Sequence, residues 1–311
     1  MTELRRQHAD VEDLSDALAA LWEQIEASDP TPLCRSLTAN LIAVAPLTQD
    51  AWLRETLGRV LLRHHCRAFL ILLDPDEPGL AAELAARWTS EGQGRQTVLE
   101  EISLRTAPSG LARAASTIRP LVEQDLTSHL FWAGPLPTNA FELTTMARLT
   151  DRVIVDSAAF GAPVSDLARL REIPEIAPVD LAWFRTRPWR RALAEAFERF
   201  SWDPQQPTTV RLQHGSACGA VAASLGLRDW LQHRLRAEVV LETSGADDAP
   251  DGEPTALELR HGAVRIELSR QDAPSRLRIL VTRGDHCLLP WETPASRGQV
   301  GDLLAAAVDA C

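Results

Sequence analysis

Apolar residues in the first half of the chain switch between helical and strand-like spacing. Leu14, Leu18, Leu21 and Ile25 recur every three or four positions and predict an amphipathic helix. Beyond it, short apolar runs alternate with segments of helical period. The runs predict strands over 37–45, 67–73, 97–104, 128–133 and 152–156, and the helical segments cover 49–63, 80–88, 111–118 and 140–149. This alternation is typical of an open, doubly wound α/β domain with a mostly parallel sheet.

The second half of the chain shows a different order of elements. Residues 165–199 have a helical pattern that Pro174, Pro178 and Pro188 interrupt. After it come predicted strands over 210–213, 238–243, 255–260, 264–269 and 276–282, and predicted helices over 217–234 and 299–310. The polar, acidic stretch 244–254 predicts a loop. A helical connector and a smaller C-terminal α/β domain with a mixed or antiparallel sheet are therefore expected.

These patterns predict four segments. They are an N-terminal amphipathic helix over 1–28, an N-terminal α/β domain over 29–162, the connector over 163–204 and the C-terminal domain over 205–311.

Composition and charge narrow the class of protein. The 311 residues are 45% hydrophobic and 24% charged, which is the profile of a globular chain. The formal net charge of −11 argues against a nucleic-acid partner. No apolar run approaches the roughly 18 residues needed to cross a bilayer, and the first residues are polar and charged. We therefore expect no membrane association and a cytoplasmic location.

Cysteine and histidine spacing does not predict a metal site. The five cysteines are scattered without a Cys-x-x-Cys pair, so reduced thiols are favoured over a disulfide or zinc framework. His64, His65 and Cys66 are adjacent, and neighbouring helical residues point about 100° apart, so they do not share one ion readily. His286 and Cys287 have no partner pair at ligand spacing. Neither a metal nor a cofactor is expected.

Known catalytic motifs are missing from the chain. The sequence contains no lysine, which rules out a Walker motif, and Gly92-Gln93-Gly94 lacks the third glycine of a dinucleotide fingerprint. The run from Gly215 through Ser216 to Gly219 joins a predicted strand to a predicted helix. It is a candidate anion site at a helix N-terminus, although capping by Ser216 is the favoured interpretation.

Acidic residues also follow one predicted strand. Asp74, Asp76 and Glu77 lie where doubly wound domains place ligands, but a run rich in Asp, Pro and Gly is more often simply a turn.

One segment, residues 180–193, combines aromatic residues with a cluster of arginines. Pro188 suits the first turn of a helix, and Trp189, Leu193 and Phe197 then recur on one face, which we assign to a core between the two domains. Tryptophan and arginine are enriched at protein–protein hot spots. The candidate partner-binding residues are Arg185, Arg187, Arg190 and Arg191. The alternative is a buried aromatic stripe flanked by solvated or paired arginines.

This segment resembles the signature of the glucose-6-phosphate dehydrogenase assembly proteins, the OpcA family, which reads approximately Asp-Leu-x-Trp-x-Arg-x-x-x-Trp-Arg. The signature positions are filled by Asp180, Leu181, Trp183, Arg185, Trp189 and Arg190. Segments that also agree in order and spacing are 18–22, 35–42, 67–70, 150–157 and 226–231.

The resemblance implies a non-catalytic accessory subunit. Such a subunit assembles or allosterically activates glucose-6-phosphate dehydrogenase, the first oxidative enzyme of the pentose-phosphate pathway, and brings no catalytic residues of its own. The alternative from the residues is a sugar-phosphate or nucleotide-binding α/β enzyme. Its site would lie at the C-terminal ends of strands, near Asp74, Asp156 or Gly215.

Overall fold

The chain forms two compact units. In the computed structural model, unit 1 comprises Met1–Val155, Arg169–Val179 and Val300–Cys311, and unit 2 comprises Asp156–Ala168 and Asp180–Gln299. The residues described are 2–28, 33–34, 37–91, 95–174, 176–200, 202–215, 218–244, 254–271, 275–296 and 298–310. The units differ from the predicted segments, because the last helix groups with the N-terminal unit and the predicted connector is divided between both units.

Unit 1 is built on a large sheet. Its strands are β1 (Thr2–Ala9), β2 (Leu33–Cys34), β3 (Ala39–Pro46), β4 (Cys66–Leu73), β5 (Leu80–Glu91), β6 (Arg95–Thr106), β7 (Ser128–Trp132), β8 (Arg152–Val155) and β9 (Pro178–Asp180). Its helices are α1 (Leu14–Ser28), α2 (Asp50–Leu61), α3 (Leu111–Ile118) and α4 (Ala140–Ala147), and helix α5 (Pro163–Arg171) precedes β9 in the chain. Strands β3, β4 and β7 are buried along almost their whole length, as their continuous apolar runs predict.

The sheet is mostly parallel. Its order is β1-β5-β6-β4-β3-β7-β8-β9, and β2 pairs with β6. The neighbours from β6 to β8 run parallel, whereas β5 is antiparallel to both β6 and β1. The chain moves outward from β3 through β4 to β6 and then returns to place β7 on the other side of β3. The strand order therefore reverses between β3 and β7, as in doubly wound folds.

Two parts of unit 1 differ from the sequence prediction. Residues 80–88 were expected to be helical but belong to strand β5, which pairs with β6 from Leu80↔Thr106 to Glu91↔Arg95. The alanine and leucine content favours a helix locally, and pairing on both sides outweighs that preference. The polar residues Thr2–Ala9 form strand β1 ahead of the predicted helix, because β5 offers them an edge to pair with.

Unit 2 has a second, mixed sheet. Its strands are β10 (Thr208–His214), β11 (Glu238–Thr243), β12 (Pro254–His261), β13 (Val264–Gln271), β14 (Arg276–Arg283), β15 (His286–Cys287) and β16 (Trp291–Pro294). Its helices are α6 (Leu181–Arg185), α7 (Arg187–Phe197) and α8 (Cys218–Leu235). The order is β11-β10-β12-β13-β14-β15, with β16 also on β14, and only the β10–β11 pair is parallel. Gly262 turns the β12–β13 hairpin at φ +56°, as the His261-Gly262 pair predicts.

The hydrophobic core of unit 2 lies on one face of this sheet. Strands β10, β12, β13 and β14 alternate, so every second residue, such as Val210, Leu259, Ile266 and Ile279, is buried beneath α7 and α8. The α/β fold class, with an open, mostly parallel sheet and a smaller mixed one, is confirmed.

Several features predicted from the sequence fall partly or wholly outside the described residues. The predicted loop 244–254 lies there except for its two ends, and so do Gly92-Gln93-Gly94 and Ser216. The last helix, α9 (Val300–Asp309), packs on α2 in unit 1. A Cβ atom added to Gly301 would lie only 2.7 Å from the Thr56 carbonyl oxygen, so the two helices approach closely at this glycine. None of the helices in the described ranges is long and apolar enough to cross a membrane.

Candidate functional site

The signature segment begins with a capping aspartate. Asp180 stands before helix α6 with φ −97° and ψ 122°, and its carboxylate accepts the Ala182 N–H at 3.0 Å. The same carboxylate accepts the Ser157 N–H at 3.0 Å and the Ser157 hydroxyl at 2.6 Å. Burial raises the pKa of Asp180, and the neighbouring Asp156 adds to that rise, while the bonds from Ser157 and Ala182 oppose it. Asp180 thus holds α6 to the turn at Ser157.

Arg185 completes this internal network. Its guanidinium donates two parallel hydrogen bonds to Asp156, at 2.6 and 2.7 Å between Nη1 and Oδ1 and between Nη2 and Oδ2. Both residues are only 7% exposed. Asp156 also accepts the Ala158 N–H at 3.1 Å. The expectation that Arg185 meets a partner is therefore corrected, because burial and the bidentate pair place it inside unit 2.

Trp189 is also internal. It is fully buried in the core cluster of unit 2 together with Leu193, and Phe197 packs against the same cluster. The apolar face predicted for the helix is confirmed, but it covers the unit 2 sheet rather than a core between domains. The Trp189 indole N–H is buried and has no hydrogen-bond partner among the described residues, so shape and apolar contact hold this ring in place.

The remaining arginines form a surface with two tryptophans. The Arg190 guanidinium carbon lies 3.8 Å from the centre of the Trp183 ring, and Trp183 lies 6.4 Å from Trp230 with the planes tilted by 55°. Arg190 Nε donates to the Thr186 hydroxyl at 3.1 Å. Burial lowers the pKa of Arg190, and so does the charge of Arg187. Both tryptophans are half-buried, so each keeps part of its ring on the surface.

Two further arginines border this stack. Arg187 is exposed and makes no ion pair with the described residues. Arg191 is exposed over 74% of its side chain and pairs with Glu195 one turn later at 3.0 Å. We call Trp183, Arg187, Arg190, Arg191 and Trp230 the Arg–Trp surface. It combines partly exposed aromatic rings with positive charge in a chain of net charge −11, which is a composition suited to protein recognition.

A doubly wound α/β enzyme would bind its ligand at the C-terminal ends of the strands, where the strand order reverses. Where the strand order reverses between β3 and β7, a Cβ atom added to Gly134 would lie 3.5 Å from Pro46 Cδ. The Ala133 N–H donates to the Val44 carbonyl at 2.8 Å. The first turn of α2 carries Asp50, which pairs with Arg54 at 2.7 Å. An anion at that helix end would meet the Asp50 carboxylate, so this position does not favour a phosphate.

Three other predictions from the sequence concern the acidic run after β4, the glycine run after β10 and possible metal ligands. Asp74 accepts the Asp76 N–H at 3.1 Å, and Arg105 pairs with Glu77 at 2.8 Å, so this acidic run forms a braced turn. Strand β10 ends at His214 and α8 begins at Cys218, which confirms the predicted strand-to-helix junction. Gly215 and Gly219 flank Ser216 at this junction, and the anion site there stays a prediction. No group of three or more potential metal ligands occurs within the described ranges.

Sequence reasoning missed one buried charge network in unit 1. Glu100 is fully buried and accepts from the Trp22 indole at 2.7 Å and from Arg67 Nε at 2.6 Å. Arg67 also pairs with Glu123 at 3.1 Å. The partners are 33 and 78 residues from Glu100 in the chain, so no local pattern pointed to them.

Two family models together match most of the chain. The model of the glucose-6-phosphate dehydrogenase subunit N-terminal domain matches residues 59–172, and that of its C-terminal domain matches residues 176–310. The chain belongs to the OpcA family. The N-terminal match ends shortly before the Arg–Trp surface, and the C-terminal match contains all of it.

Two curated relatives carry the OpcA name. The OxPP cycle protein OpcA of Nostoc punctiforme is 32% identical over 186 residues, which is 57% of this chain and 39% of that protein. The corresponding Synechocystis protein is 30% identical over 128 residues, 40% of this chain and 27% of that protein. The chain therefore matches less than half the length of either relative.

Solved structures resemble the chain only distantly. KijD10, a 3-ketoreductase from Actinomadura kijaniata, shares 13% identity at a TM-score of 0.47, covering 88% of this chain and 89% of that one. An aldose-aldose oxidoreductase from Caulobacter crescentus shares 11% at 0.45, covering 87% and 88%. Similarity at this level carries no information on function.

Proposed function

We propose that the chain is a non-catalytic accessory subunit that binds glucose-6-phosphate dehydrogenase and promotes its assembled, active form. Membership of the OpcA family supports this proposal. The observation that carries it is the Arg–Trp surface, where Arg190 lies on Trp183. Beside them Arg187 is exposed and forms no ion pair within the described part of the chain. We assign this surface to an acidic patch on the dehydrogenase, since arginine and tryptophan together supply both charge and buried area at interfaces.

The cavity at the strand ends of unit 1 gives some support to a non-catalytic role. The cavity near the C-terminal ends of its strands has a volume of about 170 Å³ and includes Asp50, Arg54, Glu83 and Arg105 in its lining. Ligand pockets are typically about 300–1,000 Å³. Arg54 is already held by Asp50 and Glu101, so it is poorly placed to receive a phosphate.

Charge reversal at Arg187 tests the proposal. The full chain and its Arg187→Glu variant are titrated into the dehydrogenase of the same organism, and binding, oligomeric state and activity are measured at two salt concentrations. The variant should associate roughly tenfold more slowly, with the larger difference at low salt, and its melting temperature should not change. Arg113→Glu is the matched control, because Arg113 is an exposed arginine on α3 in unit 1.

Two results would contradict the proposal. A dehydrogenase whose oligomeric state and activity ignore the wild-type chain refutes the accessory role. Equal binding by wild type and Arg187→Glu places the contact elsewhere. If glucose 6-phosphate or a nucleotide instead raises the melting temperature of the chain alone, the alternative enzyme function gains support.

A further inference from the structure

The unit 2 sheet has one face that its helices do not cover. Helices α7 and α8 pack on the side of the buried core, so alternate residues of each strand point the other way. We call this side the open face. Its exposure is substantial, with side-chain values of 56% for Arg211 and 46% for Arg265. A shallow cavity of about 380 Å³ lies on it, lined in part by Arg211, Glu258, Glu267 and Arg278.

Strand register arranges the open face in rows across the sheet, read from β11 through β10, β12 and β13 to β14. The first row is Glu238, Thr209, Arg260, Arg265 and Thr282; the second is Val240, Arg211, Glu258, Glu267 and Leu280; the third is Glu242, Gln213, Ala256, Ser269 and Arg278. In the second and third rows, a charged residue on β10 or β11 has its counterpart of opposite sign on β13 or β14: Arg211 and Glu267 in the second row, and Glu242 and Arg278 in the third.

The second and third rows become complementary when a second copy faces them in reverse order. Two copies can stack face to face about a two-fold axis that runs parallel to β12, midway between the two sheets. This axis places β11 opposite β14 of the other copy and β10 opposite β13. Arg211 then faces Glu267 of a second copy, and Glu242 faces Arg278. Val240 faces Leu280, so the exposed apolar residue of the edge strand meets another apolar residue. An axis across the strands would instead oppose Glu238 to Glu242, which is unfavourable.

We propose that the open face binds a second copy of this chain about this two-fold axis, forming a sheet-on-sheet homodimer. Sheets that pack face to face align within about 30°, and a symmetric dimer uses the same patch twice. This inference is independent of the dehydrogenase partner.

Charge on the open face favours a second copy in spite of the acidic chain. The described residues of the face, with Arg276 and Glu292 beside the third row, supply five arginines and five glutamates. Their charges cancel, whereas the whole chain carries −11. Like-charge repulsion between copies is therefore smaller here than the net charge of the whole chain implies. At the axis Glu258 and Arg260 each meet their own equivalent, but within each chain Glu258 pairs with Arg260 and, at 3.0 Å, with Arg265.

The charged side chains of the open face can also form ion pairs with a second copy. Arg278 makes no ion pair with the described residues of its own chain, so it is free to meet Glu242 of the second copy. Arg211 already contacts Glu242 at 2.9 Å, and Glu267 contacts Arg265 at 2.6 Å. The dimer would join these pairs into networks across the axis, where charge-assisted hydrogen bonds are strong.

The area is at the lower limit for a specific dimer. Five strand positions, from β11 to β14, have a counterpart across this axis; about 4.8 Å apart and about 20–25 Å long, they present about 500–600 Å². Two such faces would bury about 1,000–1,200 Å², which reaches the lower end of the range for stable protein interfaces, about 1,200–2,000 Å².

Charge-swapped variants of the full chain test the axis. Sedimentation equilibrium over a concentration series should show a wild-type dimer. Arg211→Glu and Glu267→Arg should each weaken dimerisation roughly tenfold or more, because each puts like charges opposite one another twice. An equimolar mixture of the two variants should recover a heterodimer, since both contacts then pair opposite charges, and so should the double variant R211E/E267R. Arg113→Glu, a matched exposed change in unit 1, should dimerise like wild type.

Three outcomes would overturn the proposal. The first is a wild-type chain that stays monomeric throughout the series, and the second is either single variant dimerising as wild type does. The third is a mixture that stays monomeric, which would mean that Arg211 and Glu267 do not face each other across an axis. If the wild-type chain is monomeric and Arg211→Glu loses only binding to the dehydrogenase, the open face binds that enzyme instead. Circular dichroism and melting temperature confirm that each variant is folded.

Discussion

The pair between Arg185 and Asp156 allows the role of the family signature to be tested directly. Arg185→Met keeps much of the apolar volume of the side chain but removes the guanidinium. Asp156 then remains 7% exposed without its cation, although it still accepts the Ala158 N–H. If the signature is an internal brace, unit 2 should lose stability. If it is a contact surface, stability should be unchanged and partner binding should fall.

The expected magnitude follows from burial and geometry. Removing one member of a buried ion pair costs about 3–5 kcal/mol, because the other charge is left desolvated. The two bonds of 2.6 and 2.7 Å and the burial of both residues place Arg185 in this class. Arg191 pairs with Glu195 while 74% exposed, and a surface helix pair of this kind is worth about 0.3–0.5 kcal/mol. Arg191→Met is therefore the matched control.

A second substitution separates the ion pair from simple packing. Asp156→Asn removes the charge but retains an oxygen that can accept the Ala158 N–H. The double variant D156N/R185M should therefore be more stable than Arg185→Met alone, since it leaves no buried charge without a partner.

Urea denaturation followed by tryptophan fluorescence and circular dichroism measures these free energies of unfolding. A cost of less than about 1 kcal/mol for Arg185→Met would refute the brace, since even a neutral buried hydrogen bond contributes about that much. Failure of Asp156→Asn to rescue any stability would show that lost packing, not the unpaired carboxylate, explains the effect.

Two further predictions concern buried side chains. Trp189→Ala should cost about 3–5 kcal/mol of unfolding free energy in the same urea assay. Trp189→Phe should cost less than about 2 kcal/mol, because the indole N–H has no partner to lose among the residues that the structure describes. Equal costs for the two variants would contradict this. Burial raises the pKa of the Cys66 thiol to about 12, so at pH 8 iodoacetamide should modify Cys66 only after unfolding, whereas the exposed Cys287 reacts in the native chain. Peptide mass mapping compares the two, and native labelling of Cys66 would show that this site is open.

Patterns with a single period predicted their elements well. The continuous apolar runs of β3, β4 and β7 indicate strands buried on both faces, and the alternation in β12, β13 and β14 indicates a half-exposed sheet. The face of α7 that carries Trp189 and Leu193 was also evident, since helical spacing alone groups those residues.

Elements that depend on neighbours were not predictable in this way. Leu80–Glu91 carries helix-forming residues, yet pairing with β6 and β1 makes it a strand. The arginines of the segment 180–193 have different roles for a similar reason. Arg185 and Arg187 are two positions apart in the chain, and only the position of Asp156 makes one internal and leaves the other exposed.

The sequence by itself determined the fold class, the two-sheet organisation and the resemblance to the OpcA family, because these depend on local periodicity and on a short run of residue types. Tertiary structure decided which charges are internal and which are available to a partner. Burial and ion pairing depend on residues distant in the chain, such as Asp156 for Arg185 and Glu100 for Trp22. The order of the open face also arises only from strand register, which aligns Arg211, Glu258 and Glu267 from three separate strands.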